Sequence, residues 1–234
     1  MKSEKLRDGL IHRAGALLVL CLSLFFLSCE NDGYDTGDGS LSYMRADFVE
    51  AYTNDDALIT YVITDDDEQL TLASPYSVTW VTEPNAVYRA LLYYDVSTAP
   101  IEPITISSVS VPTVVMAADV EDNTTDPLYW DSAWQSGNGR YINLGLSVMI
   151  GAEDGTIGSQ TVGMRCDSIA YDDAGACEIY LTLLHNQCDV PEYYSSRAYL
   201  SIPISYLPRT VSEGDKVSVT VNTYDGIVTK TFEL

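Results

Sequence analysis

The sequence is short of positive charge. Lysine and arginine together number 12 against 34 aspartates and glutamates, a net charge of −22. Nucleic-acid binding draws much of its affinity from basic side chains on phosphates, so a body with this balance repels polyanions. Anionic lipid headgroups are repelled for the same reason. Histidine is scarcer still, with His12 and His185 as the whole supply. The commonest general base is therefore nearly missing, no Gly-x-Ser-x-Gly elbow occurs, and no serine is placed to pair with His185. The five cysteines form no Cys-x-x-Cys pair and no Cys/His spacing suited to zinc. The apolar run from Ala14 to Leu27 is fourteen residues. As a helix it reaches about 21 Å, against a hydrocarbon core of about 30 Å. Beyond it, no segment keeps apolar residues at i, i+3, i+4 and i+7 for long enough to require a helix.

What is present begins with a leader. Lys2, Lys5, Arg7 and Arg13 precede the apolar run, and a basic stretch followed by roughly 7–15 apolar residues is the pattern of a secretory signal peptide. The run ends Phe26-Leu27-Ser28-Cys29, which resembles a lipobox, with Phe26 in place of the usual leucine. The expectation is a signal peptide over residues 1–28, removed before an acylated Cys29. Each buried CH₂ contributes about 0.8 kcal/mol, so several acyl chains hold a protein on a membrane. Residues 29–40 are acidic, rich in glycine and without periodicity, which predicts a flexible tether. An acidic stretch directly after a lipidated cysteine resembles the surface-export signal of Bacteroidetes lipoproteins, and implies an outer-membrane anchor with display at the cell surface. Removing residues 1–28 leaves eight basic and 32 acidic residues, a net charge of −24 over 206 residues.

The body reads as all-β. Leu41 to Tyr52, Ala57 to Ile63, Leu70 to Leu72, Ala86 to Val96 and Ile104 to Met116 are rich in β-branched and aromatic residues, with acidic turns between them and Pro112 interrupting the last. Asp119 to Pro127 is a polar break, placed as a boundary between domains over residues 41–118 and 119–234. Strands resume at Arg140 to Ile150, Gly163 to Tyr171, Cys177 to Leu184, Arg197 to Tyr206 and Lys216 to Leu234. Short strands with a turn every 8–12 residues indicate a sandwich or a barrel. The last segment predicts a hairpin, with Val217, Val219 and Val221 alternating with polar residues and Asp225-Gly226 supplying a type I′ turn. The eleven-residue spacings of Cys166, Cys177 and Cys188 suggest neighbouring strands. At most one disulfide joins them, and small buried apolar groups are the favoured reading.

Several segments together carry a family resemblance. Residues 86–94 read Ala-Val-Tyr-Arg-Ala-Leu-Leu-Tyr-Tyr. Asp126-Pro127-Leu128-Tyr129, Gly139-Arg140-Tyr141-Ile142-Asn143-Leu144 and Leu183-Leu184-His185-Asn186-Gln187-Cys188-Asp189 follow. With the lipobox and tether, the chain resembles the NigD-like lipoproteins of Bacteroidetes. That resemblance implies an N-terminal OB-like five-stranded barrel over residues 41–118, then a C-terminal β-sandwich over 119–234. It implies no catalytic motif.

Candidate sites are few. His185 ends an apolar strand, with Asp189 close behind; one histidine and one carboxylate are too few for a metal, so a turn-bonding role is favoured. Asp119-x-Glu121-x-Asn123 has Thr124 and Trp130 where a calcium loop needs glycine and glutamate. Paired carboxylates sit in turns, where aspartate caps the backbone, although a hydrolase with two inward carboxylates is the third-ranked reading. On the 86–96 strand, Tyr88, Ala90, Leu92 and Tyr94 share one face, and Val87, Arg89, Leu91 and Tyr93 the other. Trp80, Arg89 and Tyr93 are the candidate ligand-binding residues, because an OB-like sheet presents such a face. Trp130 and Trp134 are expected to pack between the two halves. The resulting expectation is a non-catalytic binding lipoprotein with no cofactor and no metal, joined to membrane through Cys29. It is a protein-interaction or accessory module, immunity-like or part of a surface assembly. The alternative is glycan binding in nutrient capture.

Overall fold

The computed structural model describes residues 43–153 and 155–234. The expected signal peptide, the expected acylation site Cys29 and the expected tether lie outside the described residues. The fifteen strands are β1 (Met44–Thr53), β2 (Ile59–Thr64), β3 (Gln69–Tyr76), β4 (Val87–Asp95), β5 (Pro103–Ser108), β6 (Val114–Met116), β7 (Tyr129–Gln135), β8 (Tyr141–Ile150), β9 (Ala152–Glu153), β10 (Thr156–Ile157), β11 (Thr161–Tyr171), β12 (Cys177–Asn186), β13 (Tyr194–Pro203), β14 (Lys216–Thr223) and β15 (Gly226–Glu233). Among the described residues there is no α-helix. The protein is all-β.

The first five strands form an antiparallel sheet in the order β3-β2-β1-β4-β5. Asn54 starts the β1–β2 turn, its Oδ1 accepting the N–H groups of Asp56 and Leu58 at 3.0 Å each. The sheet curls, because beside its edges Ile101 bridges Leu72 in parallel. There the Ala73 N–H donates to the Ile101 carbonyl at 2.8 Å and the Ile101 N–H to that of Thr71 at 3.0 Å. Inside the curl, alternate residues Ala90, Leu92 and Tyr94 of β4 meet Val49, Val62 and Ile106. The two-residue alternation read from the sequence thus fixes one face of β4. The other face is buried at Arg89 and Leu91 and open at Val87.

A second five-stranded sheet runs β15-β14-β12-β11-β6, and a three-stranded one runs β13-β8-β7. They share one core, with Ile142, Leu144 and Leu200 facing Leu181, Val217 and Val219. The β6–β11 and β12–β14 pairs are parallel. Since β6 pairs with β11, the chain reaches the second sheet before the polar break at Asp119.

The terminal hairpin forms with Thr223 opposite Gly226. Its turn differs from the expected one. The loop is Tyr224-Asp225, and only Gly226 takes a positive φ, +115°. Thr223 explains the shift: its Oγ1 donates to the Gly226 carbonyl at 2.6 Å and accepts the Asp225 N–H at 3.2 Å. The cysteine expectation also needs correction. Cys166 and Cys177 are buried free thiols on β11 and β12, whereas Cys188 is exposed in the turn after β12, with φ +51°. The asparagine before it favours that turn, since Asn186 Oδ1 accepts the Cys188 N–H at 2.9 Å.

Candidate functional site

The densest polar cluster is built around Arg89, in the middle of an apolar strand. Its side chain is 2 % exposed. An arginine so placed must be paired and hydrogen-bonded, since an isolated buried charge is very costly. Nη1 and Nη2 fork onto the Asp65 carboxylate at 2.7 and 2.8 Å. Nε donates to Ser201 Oγ at 3.0 Å and Nη2 to Asn143 Oδ1 at 3.1 Å. Asn143 Nδ2 donates back to Asp65 at 3.2 Å, which closes the ring. The guanidinium lies 3.9 Å from the centre of the Tyr141 ring and 5.4 Å from that of Phe48. Every nitrogen of Arg89 bonds within the protein, and four of its five N–H groups are so used. Arg89 thereby ties β4 and the β2–β3 turn to β8 and β13.

Glu50 continues the cluster. Its oxygens accept the hydroxyls of Tyr141 at 2.8 Å and Tyr52 at 3.1 Å, and Arg140 approaches to 3.3 Å. Burial, with a carboxylate next to the hydroxyl, pushes both tyrosines above their usual pKa. Arg140 also pairs with Asp67 at 2.7 Å. Neither Asp65 nor Glu50 is left as an unpartnered base.

Two cavities flank Tyr141 and Ser205. One, of about 480 Å³, is lined by Trp80, Val87, Tyr88, Arg89 and Tyr206 among others. The other, of about 690 Å³, is lined by Arg140, Arg209 and the 204–211 connection. Both volumes fall in the range of about 300–1,000 Å³ usual for ligand sites. In the first, Trp80 meets Tyr88 edge-on, with centroids 5.8 Å apart and planes at 72°. The Tyr88 hydroxyl accepts the N–H groups of Glu83 at 2.8 Å and Thr82 at 3.1 Å. Those two bonds favour the phenolate and lower its pKa. Val87 and Tyr206 are 52 % and 53 % exposed, so the rim is apolar and open.

Trp80 and Arg89 therefore line one cavity. Tyr93 does not: it is half-buried, four residues along β4 from Arg89, a distance of about 13 Å. Trp134 does join the two halves, stacking edge-on with Phe48 at 5.3 Å. Trp130 packs on the second core instead.

His185 is 2 % exposed. Its Nδ1 faces the Asp126 carbonyl at 3.0 Å and its Nε2 faces Gln160 Oε1 at 2.8 Å. It thus anchors the 124–126 segment beside β12 rather than the Asn186–Asp189 turn that the sequence suggested. Among the described residues no group of three or more histidine, cysteine or carboxylate side chains is disposed to hold a metal.

Sequence reasoning missed Asp65, Asn143, Ser201, Glu50 and Arg209. The one available signal was Arg89 itself, a lone cation in an apolar strand, which demands a buried acid somewhere.

These features define a class: an all-β protein whose polar centre is spent on joining its parts, with open cavities beside it. Comparison with solved structures agrees with the family resemblance seen in the sequence. The fold is shared with a NigD-like immunity protein from Bacteroides caccae, at 22% identity and TM-score 0.60, over 80% of this chain and 91% of that one. It is shared with a protein described as toxin-related from Parabacteroides distasonis, at 18% identity and TM-score 0.62, over 82% and 93%. A protein described as a lipoprotein from Bacteroides fragilis matches at 15% identity and TM-score 0.53, over 81% and 96%. No family model matches the chain, and no curated protein does.

Proposed function

We propose that this chain is a non-catalytic binding lipoprotein, anchored to the outer membrane through Cys29 and displayed at the cell surface. It acts there as a protein-interaction or accessory module, immunity-like or part of a surface assembly. The observation that carries this reading is the open aromatic rim formed by Val87, Tyr88 and Tyr206 around Trp80. On a body of net charge −24 past residue 28, an exposed apolar patch is a feature that proteins recognise. The names of the similar structures, an immunity protein and a lipoprotein among them, support the same reading. His185 is engaged by a backbone carbonyl and an amide, which fits a structural role for it.

The first five strands are read as an OB-like barrel over residues 41–118, supported by the strand order and the Leu72–Ile101 bridge. Residues 119–234 are read as a β-sandwich, supported by the core that the second and third sheets share. Glycan binding has one observation in its favour. Tyr129 and Tyr224 lie 4.7 Å apart with planes at 31°, both partly exposed, a tilted platform that a sugar ring could cover.

The test is capture of partners from the chain's own envelope by the full acylated protein in detergent. A protein partner that is lost with the Trp80→Ala/Tyr206→Ala double variant is the expected result. If the envelope yields no such partner while oligosaccharides give heat of binding that Tyr129→Ala abolishes, the glycan reading replaces it.

A further inference from the structure

Charge is rationed in this protein, and its arginines show how. Arg45 pairs with Asp47, Arg89 with Asp65, Arg140 with Glu50 and Asp67, Arg165 with Asp167 and Arg197 with Asp131. Among the described residues, Arg209 is the one arginine without a carboxylate oxygen within 4.0 Å. Its Nε donates to the Thr210 carbonyl at 3.1 Å, and its guanidinium lies 5.2 Å from the centre of the exposed Tyr171 ring. The acid that bears on it, Asp215, is occupied: its oxygens accept the Cys177 N–H at 2.7 Å and the Ser212 N–H at 2.8 Å. With four acids for every base past residue 28, an arginine left without an acid partner is conspicuous.

Arg209 also lines the 690 Å³ cavity. Arg140 stands on another part of the same lining, its side chain 42% exposed. The one acid there, Glu50, is already held by Tyr141, Tyr52 and Arg140. Two arginines against one glutamate make the lining itself net positive, and because Arg140 is also paired with Asp67 from outside it, the free positive charge is that of Arg209. Its apolar part is aliphatic, supplied by Ile204, Leu207, Pro208 and Val211. Tyr141 is the one aromatic residue in the lining, and Arg89 already lies over its ring at 3.9 Å. A sugar would find little open aromatic surface here, whereas an aliphatic side chain next to a carboxylate finds both its partners.

We propose that this cavity binds an acidic peptide segment of a partner protein. An aspartate or glutamate carboxylate is forked by the Arg209 guanidinium, and a neighbouring aliphatic side chain lies against Ile204, Leu207 and Val211. A planar guanidinium matches a carboxylate in a two-bond geometry that lysine cannot reproduce. The inference rests on the protein-binding function proposed above and gives that partner a chemistry and an address.

The test uses the full chain in detergent and two blocked peptides, N-acetyl-Leu-Glu-Leu-Glu-Leu amide and its glutamine counterpart, titrated by calorimetry. The acidic peptide is expected to bind saturably, and the glutamine peptide at least tenfold more weakly. Arg209→Gln should lower affinity for the acidic peptide by a similar factor, with an unchanged melting temperature. Arg209→Lys should fall between, and salt should weaken binding. Equal affinity for the two peptides, indifference to Arg209→Gln, or absence of peptide binding overturns the proposal. So does oligogalacturonate binding more tightly than the peptide through Arg209, which makes a glycan carboxylate the ligand. If an envelope partner is captured equally by wild type and Arg209→Gln, this inference fails while the broader function stands. If no partner is captured but the acidic peptide still binds through Arg209, the broader function fails and the cavity assignment stands.

Discussion

At the scale of single residues, the protein's polar centre is structural. Arg89, Asp65, Asn143 and Ser201 satisfy one another without outside help. Removing one member of a buried, hydrogen-bonded pair leaves a charge uncompensated, at a cost of about 3–5 kcal/mol. Arg89→Ala should destabilise the protein by that amount in urea denaturation. Arg89→Lys should recover little, because a lysine cannot fork onto Asp65 while bonding Ser201 and Asn143. The tyrosines set an alkaline limit. Tyr94 donates to Asp47 at 2.8 Å and Tyr224 to Glu192 at 2.9 Å. Burial, and then the adjacent carboxylate, raises both above the ordinary value of 10.0, Tyr224 to about 12. Tyr141 moves the same way. Because the folded values exceed the unfolded one, their stabilisation is complete below about pH 10 and is lost as pH rises through the folded values. The denaturation midpoint should therefore fall steadily above pH 10, and Tyr94→Phe with Tyr141→Phe should flatten that fall. A midpoint independent of pH between 10 and 12 would contradict the assignment.

At the scale of elements, alternation was legible and long-range partnership was not. The two faces of β4 follow from its sequence, since apolar residues two apart line the curled sheet's interior. The terminal hairpin was legible for the same reason. Its turn type was not, because the choice depends on the Thr223 hydroxyl bonding across the loop. Nor could the sequence reveal that β6 pairs with β11, or that Asp65 and Ser201, 24 and 112 residues from Arg89, would meet it. Such meetings are set by how sheets stack, and periodicity carries no record of that. The cavity beside Arg209 was hidden likewise, being assembled from Glu50, residues 139–141, residues 204–205 and residues 207–211. One consequence belongs to the hairpin alone. Gly226 holds φ at +115°, where a side chain is strained. Gly226→Ala should cost about 1–3 kcal/mol and lower the melting temperature without altering partner binding.

At the scale of the whole molecule, two apolar cores are joined through a polar seam, with Phe48 edge-on to Trp134 and Tyr199 at 5.3 Å each. Such coupling predicts one cooperative thermal transition for the wild type. Arg89→Ala, which removes the centre of the seam, should melt in two steps; a single transition at the wild-type midpoint would show that the seam carries no coupling. A net charge of −24 past residue 28 disfavours polyanions, and the function proposed above seats a protein on the open rim around Trp80. The most direct measurement of that claim is photocrosslinking in intact cells, with a benzophenone side chain placed at Tyr206 on the aromatic rim or, as control, at Thr229 on exposed β15. A discrete covalent adduct with one protein from position 206, absent from position 229, is the predicted result. No adduct at either position, or the same adducts at both, would contradict it.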